Sequence, residues 1–132
     1  MSLVQTLGSA VNGGAEAYFV ALTSAFQRAG LKQAAAIRAH PGREAALAQL
    51  GVPTRVLPFG KTFDFGSSTA IAQLAREHDA RAIIAWMNRA ASLTPAGPWK
   101  RIGRLGGYYK LKNYRGFDAL VAFEVARRAT AT

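Results

Sequence analysis

Apolar segments with strand character alternate with segments of helical period along this chain. That alternation predicts an α/β fold: a doubly wound, mainly parallel Rossmann-like sheet of about six strands with helices on both faces. Three observations carry it. Ala82-Ile83-Ile84-Ala85-Trp86 is a continuous apolar run of the kind buried on both faces of a sheet. Phe19, Leu22, Phe26 and Ala29 recur at spacings of three and four, one face of a helix. Between such segments lie short turns rich in Gly and Pro, as in 40–42 and 94–98.

Taken in order, 3–7 reads as the first strand and 9–14 as a polar, glycine-containing turn. Residues 15–29 form a helix that Gly30 closes. A second strand at 32–39 is weakened by its three alanines. After His40-Pro41-Gly42, which suits a helix start, 43–50 is a short helix ended by Gly51. A third strand at 54–58 ends in Pro58 and so belongs at a sheet edge. Ser67 or Ser68 caps a helix that runs to His78, with Ile71, Leu74 and Ala75 inward. The fourth strand spans 81–87, a fifth 99–105 and a sixth 118–123. A short helix at 108–114 precedes the last strand, and another helix begins at 124–129.

The 132 residues are one domain, 1–132, with half of the chain apolar and much of that half alanine. There is no cysteine, hence no disulfide or thiolate metal site, and two isolated histidines do not make one. No metal and no cofactor is expected. No apolar stretch is long enough to span a membrane, and the start carries no basic region followed by an apolar run, so the cytoplasm is the expected location. The net charge is +10, and six of the 17 basic residues (Lys100, Arg101, Arg104, Lys110, Lys112, Arg115) fall within 100–115 with no acid among them. Such a cluster either attracts phosphate, on nucleotides, nucleic acid or anionic lipid, or is a solvated face.

In a doubly wound sheet, ligands bind beyond the carboxyl ends of the strands. Asn12-Gly13-Gly14-Ala15-Glu16 puts two glycines at a helix entrance just after the first strand. Free N–H groups and the helix dipole there suit an anion, although the same pair also serves a plain turn. Neither the G-x-G-x-x-G fingerprint nor a Gly-Lys-Ser/Thr P-loop is present. Asp64 and Glu16 are carboxylates without a partner by spacing, and the dipole alone explains Glu16. His40 is a loop residue and His78 a helix-end cap. Trp86 is either core or a cleft platform. Tyr108, Tyr109 and Tyr114, interleaved with Lys110 and Lys112, either stack on a ligand or pack.

The order of these pieces resembles family-four glycosyltransferases of the GT-B type. A first strand, a loop ending in Gly13-Gly14-Ala15-Glu16 and an apolar helix closed by Gly30 resemble the family's opening. Trp86-Met87-Asn88-Arg89-Ala90-Ala91 is similar to its segment in which a strand end leads into Arg-Ala-Ala. Gly103 to Tyr114 is similar to the strand–glycine–helix segment of bacterial members. The resemblance covers nearly the whole chain and is most specific at 13–16 and 104–114.

It implies a retaining transfer of sugar from a nucleotide-sugar donor to a glycan or lipid-linked acceptor, of the kind that builds cell-envelope polysaccharides. It assigns Asn12, Gly13, Gly14 and Glu16 to the donor-phosphate loop. Asn88, Arg89, Arg104 and Lys110 fall to acceptor binding, and no catalytic residue is assigned. The family's histidine at the fourth strand's end is replaced here by Trp86 and Asn88. Its paired glutamates eight positions apart are absent: eight residues after Glu16, Glu44, Glu77 and Glu124 stand Ser24, Val52, Ala85 and Thr132.

The chain therefore reads as an N-terminal, acceptor-side domain without its donor-binding domain, inactive alone. An exposed inter-domain face would favour a homodimer of the isolated piece, and the basic cluster would favour the anionic inner face of the plasma membrane. The alternative is a basic module that binds membrane or nucleic acid through 100–115. A stand-alone nucleotide-binding protein ranks behind both, since no acid stands at the ribose-binding distance past the glycine loop.

Overall fold

The computed structural model describes residues 2–60, 64–105 and 110–121. In chain order the elements are β1 (Ser2–Leu7), α1 (Gly14–Arg28), β2 (Lys32–Ile37), α2 (Pro41–Gln49), β3 (Thr54–Val56), α3 (Phe65–Glu77), β4 (Ala82–Trp86), α4 (Met87–Leu93), β5 (Lys100–Arg104), a 3₁₀ turn at Leu111–Tyr114, and β6 (Ala119–Val121). The six strands form one sheet in the order β3-β2-β1-β4-β5-β6, every pair parallel. Pro58 follows an edge strand, as expected. The expected helix at 124–129, the end of the expected sixth strand, and Tyr108 and Tyr109 lie outside the described residues.

Helices cover both faces. Strand alternation sends Val4, Ala34, Ala36, Ile83 and Ala85 toward α3 and α4, where Ile71, Leu74, Ala90 and Ala91 meet them. Leu7, Ala35, Ile37 and Trp86 face α1 and α2, against Phe19, Leu47 and Val52. Trp86 is core, 1% exposed, with the Phe19 ring edge-on at 5.4 Å.

The buried line of α1 differs from the expected one. It runs through Glu16, Phe19 and Thr23, whereas Leu22 and Phe26 are half-buried and Ala29 is exposed. The cause is polar: Gln5 of β1 and Gln33 of β2 point up beneath the helix. The Gln5 amide donates to Thr23 Oγ1 at 2.9 Å and Gln33 Oε1 at 2.8 Å, and its carbonyl accepts from Trp86 Nε1 at 2.8 Å. Gln33 Nε2 donates to the Thr23 carbonyl at 3.0 Å. Every member of this buried network is partnered, which is what makes it tolerable in an apolar layer. On the opposite face the Thr94 hydroxyl donates to the Ala90 carbonyl at 2.7 Å, so at the 3.0 Å contact with Thr6 it is Thr6 that donates.

Helix α3 starts earlier than expected. Its N-cap is Asp64, which accepts from Ser67 N at 3.0 Å, rather than Ser67 or Ser68. The Ser67 hydroxyl is spent donating to Asp64 Oδ2 at 2.7 Å, while its oxygen accepts from Phe59 N at 3.2 Å.

Candidate functional site

After β1 the chain winds outward through β2 to β3 and then crosses back to β4, so the strand order reverses between β1 and β4. This is the switch point at which a doubly wound sheet opens a crevice beyond its strands' carboxyl ends. Gly8 leaves β1 there, and Met87 turns from β4 directly into α4 with φ +67°, a left-handed conformation uncommon for a side chain of this size. The sharp turn puts Asn88 and Arg89 on the rim. Arg89 crosses over Gly8, where a Cβ would lie 2.8 Å from Arg89 Cγ, and donates to the Phe59 carbonyl at 3.4 Å.

Beside this crossing lies a hollow of about 660 Å³ bounded by Gly60, Asp64, Phe65, Ser68, Asn88, Arg89, Ser92, Lys110, Lys112 and Asn113. Three of the four residues expected on the acceptor side, Asn88, Arg89 and Lys110, meet here. Asn88 Oδ1 accepts from Lys110 N at 2.9 Å and Asn113 Nδ2 at 3.3 Å, so this side chain also ties the 3₁₀ turn to α4. Asp64 is the carboxylate on the wall. It accepts from Gly60 N at 2.6 Å and from both Ser67 groups, and these hydrogen bonds, the Ser67 side chain's first, hold its carboxyl below the usual range. It caps a helix and latches a loop rather than standing ready as a base.

The fourth expected acceptor residue, Arg104, does not line this hollow. It is 9% exposed at the end of β5, with its guanidinium 5.4 Å from the Tyr18 ring centre and 5.5 Å from that of Trp86, and it donates to the Leu105 carbonyl. Cation–π stacking allows a guanidinium to be buried against aromatic faces, and spacing along the chain does not reveal that. The basic cluster of 100–115 is likewise dispersed. Lys100 sits at the amino end of β5, 3.8 Å from Asp118; Arg101 stacks 4.7 Å from the Phe117 ring and donates to the Thr94 carbonyl; Lys110 and Lys112 alone of the six border the hollow. Lys100 and Arg101 lie together at the amino end of β5, and Lys110 and Lys112 lie together at the separate hollow beside α4, so these four do not form one face.

The glycine loop lies on the other side of the switch point. Arg43, buried at the start of α2, donates to the carbonyls of Ser9 at 3.0 Å and Val11 at 2.9 Å. Burial lowers its pKa from the usual value, opposed by the nearby Glu16 carboxylate. His40 is the N-cap of α2: its Nδ1 accepts from Arg43 N at 2.9 Å, so the proton is on Nε2, which donates to Asn12 Oδ1 at 2.7 Å. Glu44 reaches back to His40 N at 2.9 Å. His40 is therefore a cap and a loop latch, a role that Pro at the first helical position signals in the sequence.

Glu16, 6% exposed, accepts from the Ser9 hydroxyl at 2.6 Å and folds back on Gly13, whose added Cβ would lie 2.7 Å from Glu16 Oε1. Asn12, Gly13, Glu16, His40 and Arg43 enclose a hollow of about 220 Å³, while Gly14 stands open, with nothing near its missing Cβ. Among the described residues no group of His, Asp or Glu is placed to hold a metal ion. No helix of the described residues is long and apolar enough to cross a membrane.

No protein-family model matches the chain, and no curated protein does. Solved structures do match its fold. A glycosyltransferase from Rickettsia africae aligns with a TM-score of 0.75 at 13% identity, over 92% of this chain and 36% of its own. MurG of Acinetobacter baumannii aligns at 0.69 and 9% identity, over 92% and 41%. HepE of Anabaena, solved in complex with UDP, aligns at 0.61 and 16% identity, over 87% and 33%. Enoyl thioester reductase from Candida tropicalis shares the same layers at 0.56 and 12% identity, over 98% and 38%. At these identities the likeness is one of fold: a six-stranded parallel Rossmann-like domain. The chain spans between 33% and 41% of the length of these proteins.

Proposed function

We propose that this chain is the acceptor-side half of a retaining glycosyltransferase, which moves a sugar from a nucleotide-sugar donor to a glycan or lipid-linked acceptor in the cytoplasm, against the inner face of the plasma membrane. The supporting observation is the hollow at the switch point: open, polar, bearing Arg89, Lys110 and Lys112, and built from three strand ends of a fold shared with a solved glycosyltransferase. The dinucleotide fingerprint that a reductase reading would need is absent from 8–14.

In this reading Arg89 and Lys110 contact the acceptor, and Asn88 fixes the segment that carries Lys110. Arg104 acts by holding Trp86 and Tyr18 beneath the rim. Asn12, Gly13 and Gly14 turn their backbone toward the donor phosphates. Glu16 acts through Ser9 and Gly13, since its own charge would repel a phosphate at its carboxylate. HepE binds UDP and, in a second structure, glucose, which supports a nucleoside diphosphate-sugar as the donor class here. The chain supplies binding and orientation, with the reacting groups on a second domain.

The test is to read the gene beyond the codon for Thr132 and to assay sugar transfer by the 132-residue chain and by the longer product. The reading predicts a second α/β domain with glutamates eight positions apart, with transfer by the longer product alone. A longer product that carries such a domain yet transfers no sugar from any nucleotide-sugar would sink it.

A further inference from the structure

We propose that Asn12 deamidates spontaneously to aspartate and isoaspartate, by attack of the Gly13 backbone nitrogen on a side-chain carboxamide that His40 polarises. The proposal goes beyond the transferase reading and does not depend on it. It makes the glycine loop a site of chemical modification that needs only water.

The step runs through a succinimide ring. The Gly13 nitrogen bonds to Asn12 Cγ and gives its proton to solvent, the carboxamide nitrogen leaves as ammonia, and water opens the ring at either carbonyl. The net change is amide plus water to acid plus ammonia, with no oxidant or reductant. A side chain on the residue that follows would shield the attacking nitrogen, and at position 13 there is none. Asn12 and Gly13 are exposed and precede the first turn of α1. Among the described residues neither the Gly13 N–H nor Asn12 Nδ2 has a hydrogen-bond partner. Nucleophile and leaving group are both unencumbered.

His40 supplies the acid. Its Nδ1 is fixed as the acceptor from Arg43 N at 2.9 Å, so Nε2 carries the proton and donates to Asn12 Oδ1 at 2.7 Å. An N–H held there withdraws charge from Cγ and stabilises the oxyanion that forms when the nitrogen adds. Arg43 grips the carbonyls of Ser9 and Val11, which keeps Asn12 within reach of the imidazole. The other two asparagines lack this arrangement. Arg89 and Tyr114 follow them, and Asn88 Oδ1 instead accepts from Lys110 N and Asn113 Nδ2. The product puts a second carboxylate into the hollow that Glu16 lines, and isoaspartate adds a methylene to the main chain between Val11 and the N-cap Gly13.

The test is peptide mapping by mass spectrometry of the 132-residue chain held at neutral pH and 37 °C, beside a synthetic peptide of residues 9–17, which lacks His40. The mass rise of an amide-to-acid change is expected at Asn12, as a mixture of aspartate and isoaspartate, with Asn88 and Asn113 unchanged. The folded chain should convert faster than the peptide. H40N keeps a residue type suited to cap α2 and removes the Nε2 donor. It should slow conversion about tenfold, less than a general acid contributes in a closed site because this loop is open to water. Circular dichroism checks that H40N folds, and the comparison with the peptide decides if it does not. Slower conversion in the folded chain than in the peptide, an undiminished rate in folded H40N, or earlier conversion at Asn88 or Asn113 would each overturn the inference.

Discussion

The stem of Arg89 occupies the space that any side chain on Gly8 would need: a Cβ there would stand 2.8 Å from Arg89 Cγ and 3.1 Å from the Phe59 ring. Gly8 is therefore required by close approach rather than by its backbone angles. Gly8→Ala is expected to destabilise the fold by about 1–3 kcal/mol, as overpacking does, and to push Arg89 off the rim. Urea denaturation reads the first effect and the chemical shift of the Arg89 side chain the second. An unchanged midpoint would show that Arg89 can leave this path without penalty.

Arg43 couples the glycine loop to α2 through its two bonds to Ser9 and Val11. Arg43→Leu keeps much of the buried stem but removes both donors and leaves Glu16 without its nearby positive charge. A loss of about 2 kcal/mol is expected, with amide exchange at residues 9–12 rising ahead of that in β1. Uniform acceleration across β1 and the loop would mean that the loop has no separate hold.

Tyr114 is 5% exposed, packs its ring on Gly103, and its hydroxyl has no hydrogen-bond partner among the described residues. Burial pushes its pKa from 10.0 to about 12. The folded state thus favours the neutral phenol, a contribution intact below pH 10 and lost as pH rises toward 12. Tyr114→Phe should be neutral or stabilising by up to about 1 kcal/mol at pH 7, because it removes an unsatisfied group. Its advantage over the native chain should widen in thermal melts across that alkaline window. A destabilised Phe variant would reveal a partner for the hydroxyl.

For Asp64 the sign is opposite. Its carboxyl is held below the ordinary 3.8 by Ser67 and Gly60, so its contribution is whole above that value and disappears as pH falls through the lower folded value. Asp64→Ala should lower the melting temperature at pH 7, and the gap to the native chain should close in acid. A pH-independent gap would assign the loss to packing rather than to the charge.

The sheet was legible because its strands announce themselves. The apolar run 82–86 has the length and composition of a strand covered on both faces, and Pro58 marked an edge. Three things were hidden, each for a tertiary reason. Gln5 and Gln33 look like solvent-facing positions until Thr23 and Trp86 satisfy them, and that network rotated α1 away from its most apolar line. The burial of Arg104 against Tyr18 and Trp86 joins segments far apart in sequence, which spacing along the chain does not report. Asp64 was overlooked as a cap because two serines further on are equally good caps by type, and only the loop at Phe59 and Gly60 decides among them. Of the residues that border the hollow, Asn88, Arg89 and Lys110 stood among the acceptor-side expectations; Lys112 and Phe65 did not, since nothing in their local spacing reports a shared hollow.

The hydrogen bond between Trp86 Nε1 and Gln5 spans 81 residues of chain. A growing polypeptide delivers β1, an inner strand of the sheet, before the other five, and can pair it with β2 within a few dozen residues. Its other edge stays bare, and Gln5 lacks its indole, until β4 has been translated. Nascent chains halted before Ala82 therefore carry an open, largely apolar strand edge suited to misdirected pairing. Among its ribosome-bound intermediates, those of that length are expected to be the most prone to misdirected pairing, and completion of β4 closes the edge.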